Sequence, residues 1–179
     1  MLKIVVSPDP VLSQVCEPCT PGDKALVRLS KQMAHAMYKN NGCGIAAPQV
    51  GITKRLVVID VDYDGEDGER NPIVLVNPQI MELRGEPERA GEGCLSCPGV
   101  TVPIERQPWA RVRYYDLEGE LNGTLLEVEF SCLQHEIDHL DGKTLFESCD
   151  PMTRIEALRA YEEARAAGAR PGDTSVEVG

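Results

Sequence analysis

The stretch "LQHEIDHLDG" (133–142) places two imidazoles and a carboxylate within five consecutive residues. His135 and His139 are four residues apart, so a helix presents both on one face, because four residues complete just over one turn. Leu133 and Ile137 make the segment partly apolar, which indicates a helix packed inside the protein. Buried imidazoles need partners. The stretch therefore predicts a central helix that offers two metal ligands and needs a third from elsewhere.

Composition is that of an ordinary globular protein. The chain has 179 residues, of which 42% are hydrophobic and 26% charged, enough for a proper core. No apolar run approaches the roughly 18 residues that span a bilayer, and the N-terminus does not resemble a secretory signal. We therefore predict a cytoplasmic protein without membrane association, with one domain over residues 1–167 and a disordered tail over residues 168–179.

Net charge and cysteine content argue against two further classes of protein, those that bind nucleic acid stably and those held together by disulfides. The formal net charge of −11 disfavours stable binding to nucleic acid, which requires a basic face to neutralise phosphates. Seven cysteines form an odd count. Without a secretory signal, that count predicts reduced thiols and not a disulfide framework.

Helices are predicted near the start, late in the chain and near its end. Apolar residues at helical spacing predict the first over residues 22–40, with Asp23 as its cap. The histidine helix is expected from Ser131 to Gly142. A terminal helix is expected after Pro151, to about residue 167. Its predicted apolar face consists of Ile155, Leu158 and Tyr161.

Strand patterns fill the interval between the first two helices. The stretch "GCGIAAPQVG" (42–51) is predicted to be a loop or an irregular extended segment, because glycines and small residues interrupt the pattern. Strand-like segments follow at residues 55–60, 72–78, 79–84, 99–104, 110–116 and 124–130. The order predicts an α+β fold, with strands first, then the central histidine helix, then a C-terminal helix.

Two sources could supply the third metal ligand. A metallopeptidase would take it from downstream, where Glu156, Glu162 and Glu163 remain candidates. Upstream, "EGCLSCPG" (92–99) places Cys94 in a glycine-flanked turn. One thiolate and two imidazoles form a recognised ligand set for a catalytic site with one open position. The upstream thiol is the better candidate.

A structural zinc site is a rival interpretation. The pairs Cys16-x-x-Cys19 and Cys94-x-x-Cys97 have the spacing of zinc knuckles. They are far apart in the chain, and pairing them leaves both histidines unexplained. The cysteines at 43, 132 and 149 are most simply small apolar side chains.

Three segments occur together in order: "GCGIAAPQ" (42–49), "EGCLS" (92–96) and "QHEIDH" (134–139). The trio resembles the three signature motifs of peptide deformylase, a metal-dependent hydrolase of protein biosynthesis and N-terminal processing. The resemblance covers roughly residues 3–165. It implies antiparallel sheets wrapped around the helix that carries the HEIDH motif. It also implies removal of the N-formyl group from N-formylmethionyl peptides, with release of formate.

The resemblance also implies roles for individual residues. It makes Cys94, His135 and His139 the metal ligands and Glu136 the general acid and base. The side-chain amide of Gln49 and the backbone N–H of Leu95 become donors to the oxyanion. Gly44 resembles the glycine whose backbone lies beside the metal and the peptide. The metal implied is Fe²⁺, with Ni²⁺, Co²⁺ or Zn²⁺ as what a purified sample could contain.

Substrate contacts are expected at a second group of positions. Val128, Ser131, Cys132 and Cys43 are candidates for the lining of an apolar pocket for the methionine side chain, although ordinary core packing fits them as well. Arg106, in "VPIERQP" (102–108), could reach the substrate backbone, with a solvated surface arginine as the alternative. A transient contact of the terminal helix with the ribosome stays an open hypothesis. The arginines of that helix favour such a contact, and the glutamates among them oppose it.

Overall fold

The structure is a computed structural model and describes residues 1–63, 65, 68–127, 132–173 and 178. Within that part of the chain, the helices are α1 (Ala25–Lys39), α2 (Cys132–Leu140), α3 (Leu145–Ser148) and α4 (Pro151–Ala166). The strands are β1 (Gly44–Ala46), β2 (Leu56–Ile59), β3 (Ile73–Arg84), β4 (Glu88–Glu92), β5 (Val102–Arg106), β6 (Trp109–Tyr115) and β7 (Leu121–Glu127). Short 3-10 helices cover Pro10–Ser13 and Ala47–Val50.

Two antiparallel sheets organise these elements. Five strands pair in the order β1-β2-β3-β6-β7, and β4 pairs with β5. Helix α2 packs on β1 and β2. The predicted α+β class is therefore confirmed, with antiparallel sheets, a central histidine helix and a C-terminal helix.

Strand β2 provides an apolar surface for α1 on one face and for α2 on the other. Leu56 and Val58 join the cluster that packs around α1, whereas Val57 and Ile59 join the cluster that packs around α2. Successive residues of a strand point to opposite faces, so an unbroken apolar strand is buried on both sides. Helices α1 and α2 therefore cover opposite faces of this end of the large sheet.

A third apolar cluster joins β5, α3 and α4, and it corrects the predicted face of the terminal helix. Thr153, Ala157 and Tyr161 are buried, four residues apart on one stripe. Ile155 is 65% exposed and Leu158 40% exposed. Of the predicted apolar face, only Tyr161 is in the core. The small side chains of Thr153 and Ala157 allow α4 to lie close to β5, and the ring of Tyr161 packs against Phe146.

Several boundaries differ from the sequence prediction. The stretch 42–51 contains β1 and a 3-10 helix, and the segments at 72–78 and 79–84 form the single strand β3, whose register shifts near Asn77. Strand β4 was not predicted. Neither was α3, although Thr144 and Glu147 form a capping box at its start. The final residues of the predicted strand 124–130 lie outside the described residues.

The described part of the tail lies against the body of the protein. The N–H of Gly99 donates to the carbonyl of Asp173 at 2.5 Å, and the N–H of Val178 donates to the carbonyl of Thr101 at 2.9 Å. Val178 is buried in the third apolar cluster. These bonds concern only the described residues, and the disorder expected for residues 168–179 stays a prediction. Among the described helices, none has the length and apolar character needed to cross a membrane.

Candidate metal centre

Helix α2 supplies two of the three candidate ligands. His135 and His139 are both buried, and their ring centroids lie 4.9 Å apart with the planes nearly perpendicular. Leu133 and Leu140 anchor the same helix in the core. The packing of α2 therefore fixes the positions from which both imidazoles project.

The third ligand comes from the turn after β4. The Cys94 sulfur lies 3.3 Å from Nε2 of His139, and one donor atom from each of Cys94, His135 and His139 lies within 4.8 Å of the others. Their convergence favours the upstream thiol over the downstream glutamates. The glutamates at 156, 162 and 163 are exposed on α4.

A hydrogen-bonded carboxylate orients His135. Nδ1 of His135 lies 3.3 Å from Oε1 of Glu92. Arg106 donates to Glu92 through Nε at 2.6 Å and Nη2 at 3.0 Å, and its Nη1 donates to Asp138 at 2.9 Å. Burial alone would raise the pKa of Glu92, but the hydrogen bonds from His135 and Arg106 lower it to about 2. The ionised carboxylate thus fixes the ring so that Nε2 faces the other ligands.

Glu136 stands beside this group without joining it. It is buried, and its Oε1 lies 4.0 Å from Nε2 of His135. Within the described residues, Oε2 has no hydrogen-bond partner. Burial raises the pKa of Glu136 to about 7, with His135 acting in the opposite direction. A carboxyl group of this kind suits proton transfer near neutral pH.

The residues present fit a divalent metal. Nε2 of His135 is buried and has no hydrogen-bond partner in the part of the chain that the structure describes, and an uncompensated buried nitrogen is costly. A cysteine and two histidines are ligands for zinc and other first-row transition metals. Burial raises the pKa of the Cys94 thiol to about 11. Since the thiolate is the ligand, metal binding there would release a proton.

Gln49 and Leu95 flank the candidate ligands. Gln49 is buried, and its Oε1 accepts a hydrogen bond from the N–H of Ala46 at 2.8 Å. That bond directs Nε2 toward the Cys94 sulfur at 3.5 Å and the Ser96 hydroxyl at 3.2 Å. Leu95 borders the adjoining cavity. Both residues lie where donors to a developing charge would be needed, but that role stays a prediction.

A cavity of about 290 Å³ opens onto these groups. Its wall includes Cys43, Gly44, Cys132, Leu95 and Glu136. A Cβ on Gly44 would lie 2.5 Å from the Cys132 sulfur and 2.9 Å from Oε1 of Glu136, so only glycine lets the backbone come this close. Cys43 and Cys132 thus border this cavity, and their place in a methionine pocket stays a prediction. Val128 and Ser131, the other predicted lining residues, lie outside the described residues.

Arg106 is largely buried and forms ion pairs with two carboxylates. Its side chain is 12% exposed, and its donors are directed at Glu92 and Asp138. It is not among the described residues that line the cavity. The geometry therefore supports a role in orienting His135 through Glu92, and the contact with the substrate backbone stays a prediction.

The zinc-knuckle interpretation is wrong for the described residues. Cys16 packs in the cluster around α2, and Cys19 packs in the cluster around α1. In the part of the chain that the structure describes, Cys94, His135 and His139 form the one group that could hold a metal. Neither Cys16 nor Cys19 contributes to it.

Sequence reasoning missed the residues that support the ligands. Glu92 begins the quoted stretch "EGCLSCPG", and Asp138 lies inside the histidine motif, yet neither was given a role. The available signal was chemical: a metal-binding imidazole almost always donates its other N–H to a carboxylate or a carbonyl. Two acidic residues beside the predicted ligands were the candidates to test.

Comparison with known proteins gives one consistent result. The sequence profile of the polypeptide deformylase family matches residues 1–155. A peptide deformylase of Bartonella tribocorum is 39% identical over 168 residues, covering 91% of this chain and 92% of the relative. One from Desulforudis audaxviator is 43% identical over 143 residues, covering 79% and 89%. The crystal structure of a peptide deformylase from Legionella pneumophila superposes with a TM-score of 0.83 at 34% identity, covering 93% of this chain and 96% of that one.

Proposed function

This chain belongs to the peptide deformylase family, and from that premise we propose how its own residues perform the reaction. The protein is a metal-dependent hydrolase that removes the N-formyl group from the N-terminal formylmethionine of newly made polypeptides and releases formate. The observation that carries the residue assignment is the convergence of three donor atoms within 4.8 Å beside the carboxylate of Glu136.

Cys94, His135 and His139 would hold the metal. A bound divalent cation supplies Lewis-acid chemistry, because it makes water a stronger acid and stabilises negative charge on a carbonyl oxygen. We propose Fe²⁺ as the physiological ion. The ligand set alone would bind Zn²⁺ more tightly than Fe²⁺, so Zn²⁺, Ni²⁺ or Co²⁺ could replace it in a purified sample.

Glu136 moves the proton. It takes a proton from the attacking water and passes it to the nitrogen that leaves as the free amine. Its free Oε2 and its place on the cavity wall support this role. Glu92 and Arg106 act indirectly. They hold His135 in the orientation that leaves its Nε2 free to bind the metal.

The formyl oxygen gains negative charge as the amide is attacked, and we assign its stabilisation to two donors. These are the side-chain amide of Gln49 and the backbone N–H of Leu95. The bond from Ala46 to Gln49 fixes the amide before substrate arrives. Loss of one such donor typically costs about 2.7–4 kcal/mol of transition-state stabilisation.

The peptide would bind along β1. This strand is at the edge of the five-stranded sheet, with β2 on one side, so an extended chain can pair with its other side. Backbone pairing tolerates varied sequence after the first residue. Gly44 lets the chain approach, and Cys43 and Cys132 border the cavity for the methionine side chain. Val128 and Ser131 remain proposed members of that pocket.

The cellular setting is also proposed. We assign the catalytic domain to residues 1–167 and the protein to the cytoplasm, where formylated chains are made. A transient ribosome contact through α4 is consistent with exposed arginines at 154, 159 and 165, interspersed with exposed glutamates. Sedimentation with ribosomes would reveal it, and failure to sediment at low salt would remove it.

The deciding experiment measures formate release from formyl-Met-Ala-Ser by protein purified anaerobically with iron. We expect turnover by the wild type. Glu136→Gln should retain the metal and lose about 10²–10⁴-fold in kcat. Glu156→Gln is the matched control, because Glu156 is exposed on α4 and would be a ligand only in a peptidase. Full metal content without formate release by the wild type would overturn the proposal.

A further inference from the structure

Two thiols that the reaction does not use lie almost in bonding distance. The sulfurs of Cys43 and Cys132 are 3.2 Å apart, although the residues are 89 positions apart in sequence. Cys43 immediately precedes β1, and Cys132 is the first residue of α2. A disulfide bond is about 2.0 Å long, so the sulfurs need to approach by only about 1.2 Å.

The fold holds both thiols in this arrangement. The carbonyl of Cys43 accepts a hydrogen bond from the N–H of Asp60 at 2.8 Å, which extends the pairing of β1 with β2. Helix α2 is anchored by buried leucines and an isoleucine. The Cys132 sulfur rests on the backbone of Gly44. Neither sulfur is brought to the other by a mobile terminus or a long side chain.

Access distinguishes this pair from the other cysteines. Cys43 is exposed at the cavity mouth, whereas Cys16, Cys19, Cys94 and Cys97 are buried. The thiol of Cys149 is directed at the carbonyl of Phe146, at 3.7 Å. Contact with Cys132 lowers the pKa of Cys43, and the thiolate is the reactive form. An oxidant that enters the cavity would therefore meet Cys43 first.

We propose that Cys43 and Cys132 form a reversible disulfide when the protein meets a hydroperoxide, and that this bond switches off peptide turnover. A transient bond of this kind is the form in which cytosolic disulfides usually occur. The pair lies on the wall of the substrate cavity and takes no part in holding the metal. Its oxidation would therefore act on the peptide site while the ligand set is intact.

The chemistry balances in two steps. The Cys43 thiolate attacks one oxygen of the hydroperoxide; the S–O bond forms, the O–O bond breaks, and the departing alkoxide or hydroxide takes up a proton. The Cys132 sulfur then attacks the resulting sulfenic acid, and the Cys132 thiol gives up its proton in this step. The S–S bond forms, the S–O bond breaks, and hydroxide leaves as water after protonation. Two thiols lose two electrons in total, and one hydroperoxide gains them.

The effect on turnover follows from the crowding around Gly44. The Cys132 sulfur and Oε1 of Glu136 both lie against that backbone, so the sulfur cannot shift by about 1 Å without disturbing its neighbours. Misplacement by about 1 Å near the reacting atoms can cost on the order of 100-fold in rate. We expect kcat/KM to fall by at least about tenfold on oxidation. This consequence rests on the proposed function, whereas bond formation does not.

The test treats the zinc-loaded protein, whose metal has no redox chemistry, with hydrogen peroxide. Free thiols are then alkylated, the protein is digested without reductant, and the peptides are identified by mass spectrometry. We expect one cross-linked pair that contains Cys43 and Cys132 and that dithiothreitol separates. Formate release from formyl-Met-Ala-Ser, measured on the same samples, should fall and then recover.

Two variants sharpen the result. Cys43→Ser should give no cross-link, and its own activity should lose less on peroxide treatment than that of the wild type. Cys149→Ser is the matched control and should cross-link and lose activity as the wild type does. A different cross-link, oxidation of Cys94 while Cys43 and Cys132 stay reduced, or a cross-link without loss of turnover would overturn the proposal. If the iron-loaded protein, kept reduced and anaerobic, releases no formate, the proposed function fails, and the mass spectrum still decides the thiol pair.

Discussion

The two Cys-x-x-Cys turns of this chain have the same spacing and opposite surroundings. In the first, the N–H and carbonyl of Cys19 bind the side chain of Asn77 at 2.7 and 2.9 Å, and the N–H of Cys16 binds the carbonyl of Leu140. In the second, Cys94 lies beside two imidazoles while Cys97 is packed in an apolar cluster. The first turn packs in the core, and the second supplies a candidate metal ligand.

The difference shows that spacing within a turn does not decide whether a thiol binds metal. What decides it is the set of donor atoms that distant parts of the chain bring to the same point. His135 and His139 reach Cys94 because α2 packs on β1 and β2, whereas Cys16 meets the apolar side of that same helix. Metal chemistry here is a property of tertiary packing.

The largest effect is expected when the first cysteine of each Cys-x-x-Cys turn is replaced and the two variants are compared. Cys94→Ala should abolish stoichiometric metal binding and lower kcat/KM by more than about 100-fold, since even loss of a supporting residue costs about 10–100-fold. Cys16→Ala, the matched change in the other turn, should keep both. Elemental analysis of the purified proteins checks the metal, and formate release checks turnover. Equal metal loss in both variants would contradict the comparison.

A smaller effect is expected from the residue that aims His135. Glu92→Gln removes the charge that holds Nδ1 and Arg106, so metal affinity should fall by about 10–100-fold. Competition with a chelator measures the affinity. Glu88→Gln, on an exposed position of the same strand, is the control. If the two variants bound metal equally well, Glu92 would have no orienting role.

A change that weakens the first turn should lower the stability of the protein and leave metal binding unchanged. Asn77→Ala removes both hydrogen bonds to the Cys19 backbone and places alanine at a φ of 50°, which favours asparagine. We expect the free energy of unfolding to fall by about 1–3 kcal/mol, with turnover per bound metal unchanged. Denaturant titration measures the loss. Gln79→Ala, exposed on the same strand, serves as the reference, and a loss of metal at full stability would refute the assignment.

The smallest effect is a difference in pH dependence. Burial raises the pKa of Cys16 from 9.0 to about 11, so the folded state disfavours its thiolate. This contribution to stability is complete below pH 9.0 and is lost as pH rises toward 11. Cys16→Ala should therefore show a shallower decline of Tm across that interval than the wild type. Parallel declines would indicate that Cys16 does not contribute.

Much of the site could be predicted from local sequence because its key features are local. His135 and His139 share a helix face by spacing alone, and Cys94 lies in a short glycine-flanked turn. The partners of these residues were harder to predict, because they depend on pairing between strands. Glu92 is directed at His135 only because β4 pairs with β5, and β4 itself is almost wholly polar and exposed. No hydrophobic alternation marks such a strand.

The terminal helix failed for a related physical reason. Ile155 and Leu158 are its larger aliphatic residues, so periodicity places them inside, but α4 buries the stripe of Thr153, Ala157 and Tyr161. Thr153 and Ala157 are small enough for a close approach to β5, and the third member of the stripe, Tyr161, packs its ring against Phe146. The largest aliphatic side chains mark one face of α4, whereas the fit against β5 buries another. The sequence alone does not show which of the two criteria decides the buried face.

Two bonds tie the segment just after the Cys94–Cys97 turn to residues much later in the chain: the N–H of Gly99 donates to the carbonyl of Asp173, and the N–H of Val178 donates to the carbonyl of Thr101. Domains form progressively during synthesis, from the N-terminus onward. Here the segment that follows the Cys94–Cys97 turn gains these two bonds only after residues 173 and 178 have been synthesised. Truncation before residue 173 would therefore remove both bonds while leaving Cys94, His135 and His139 in the chain.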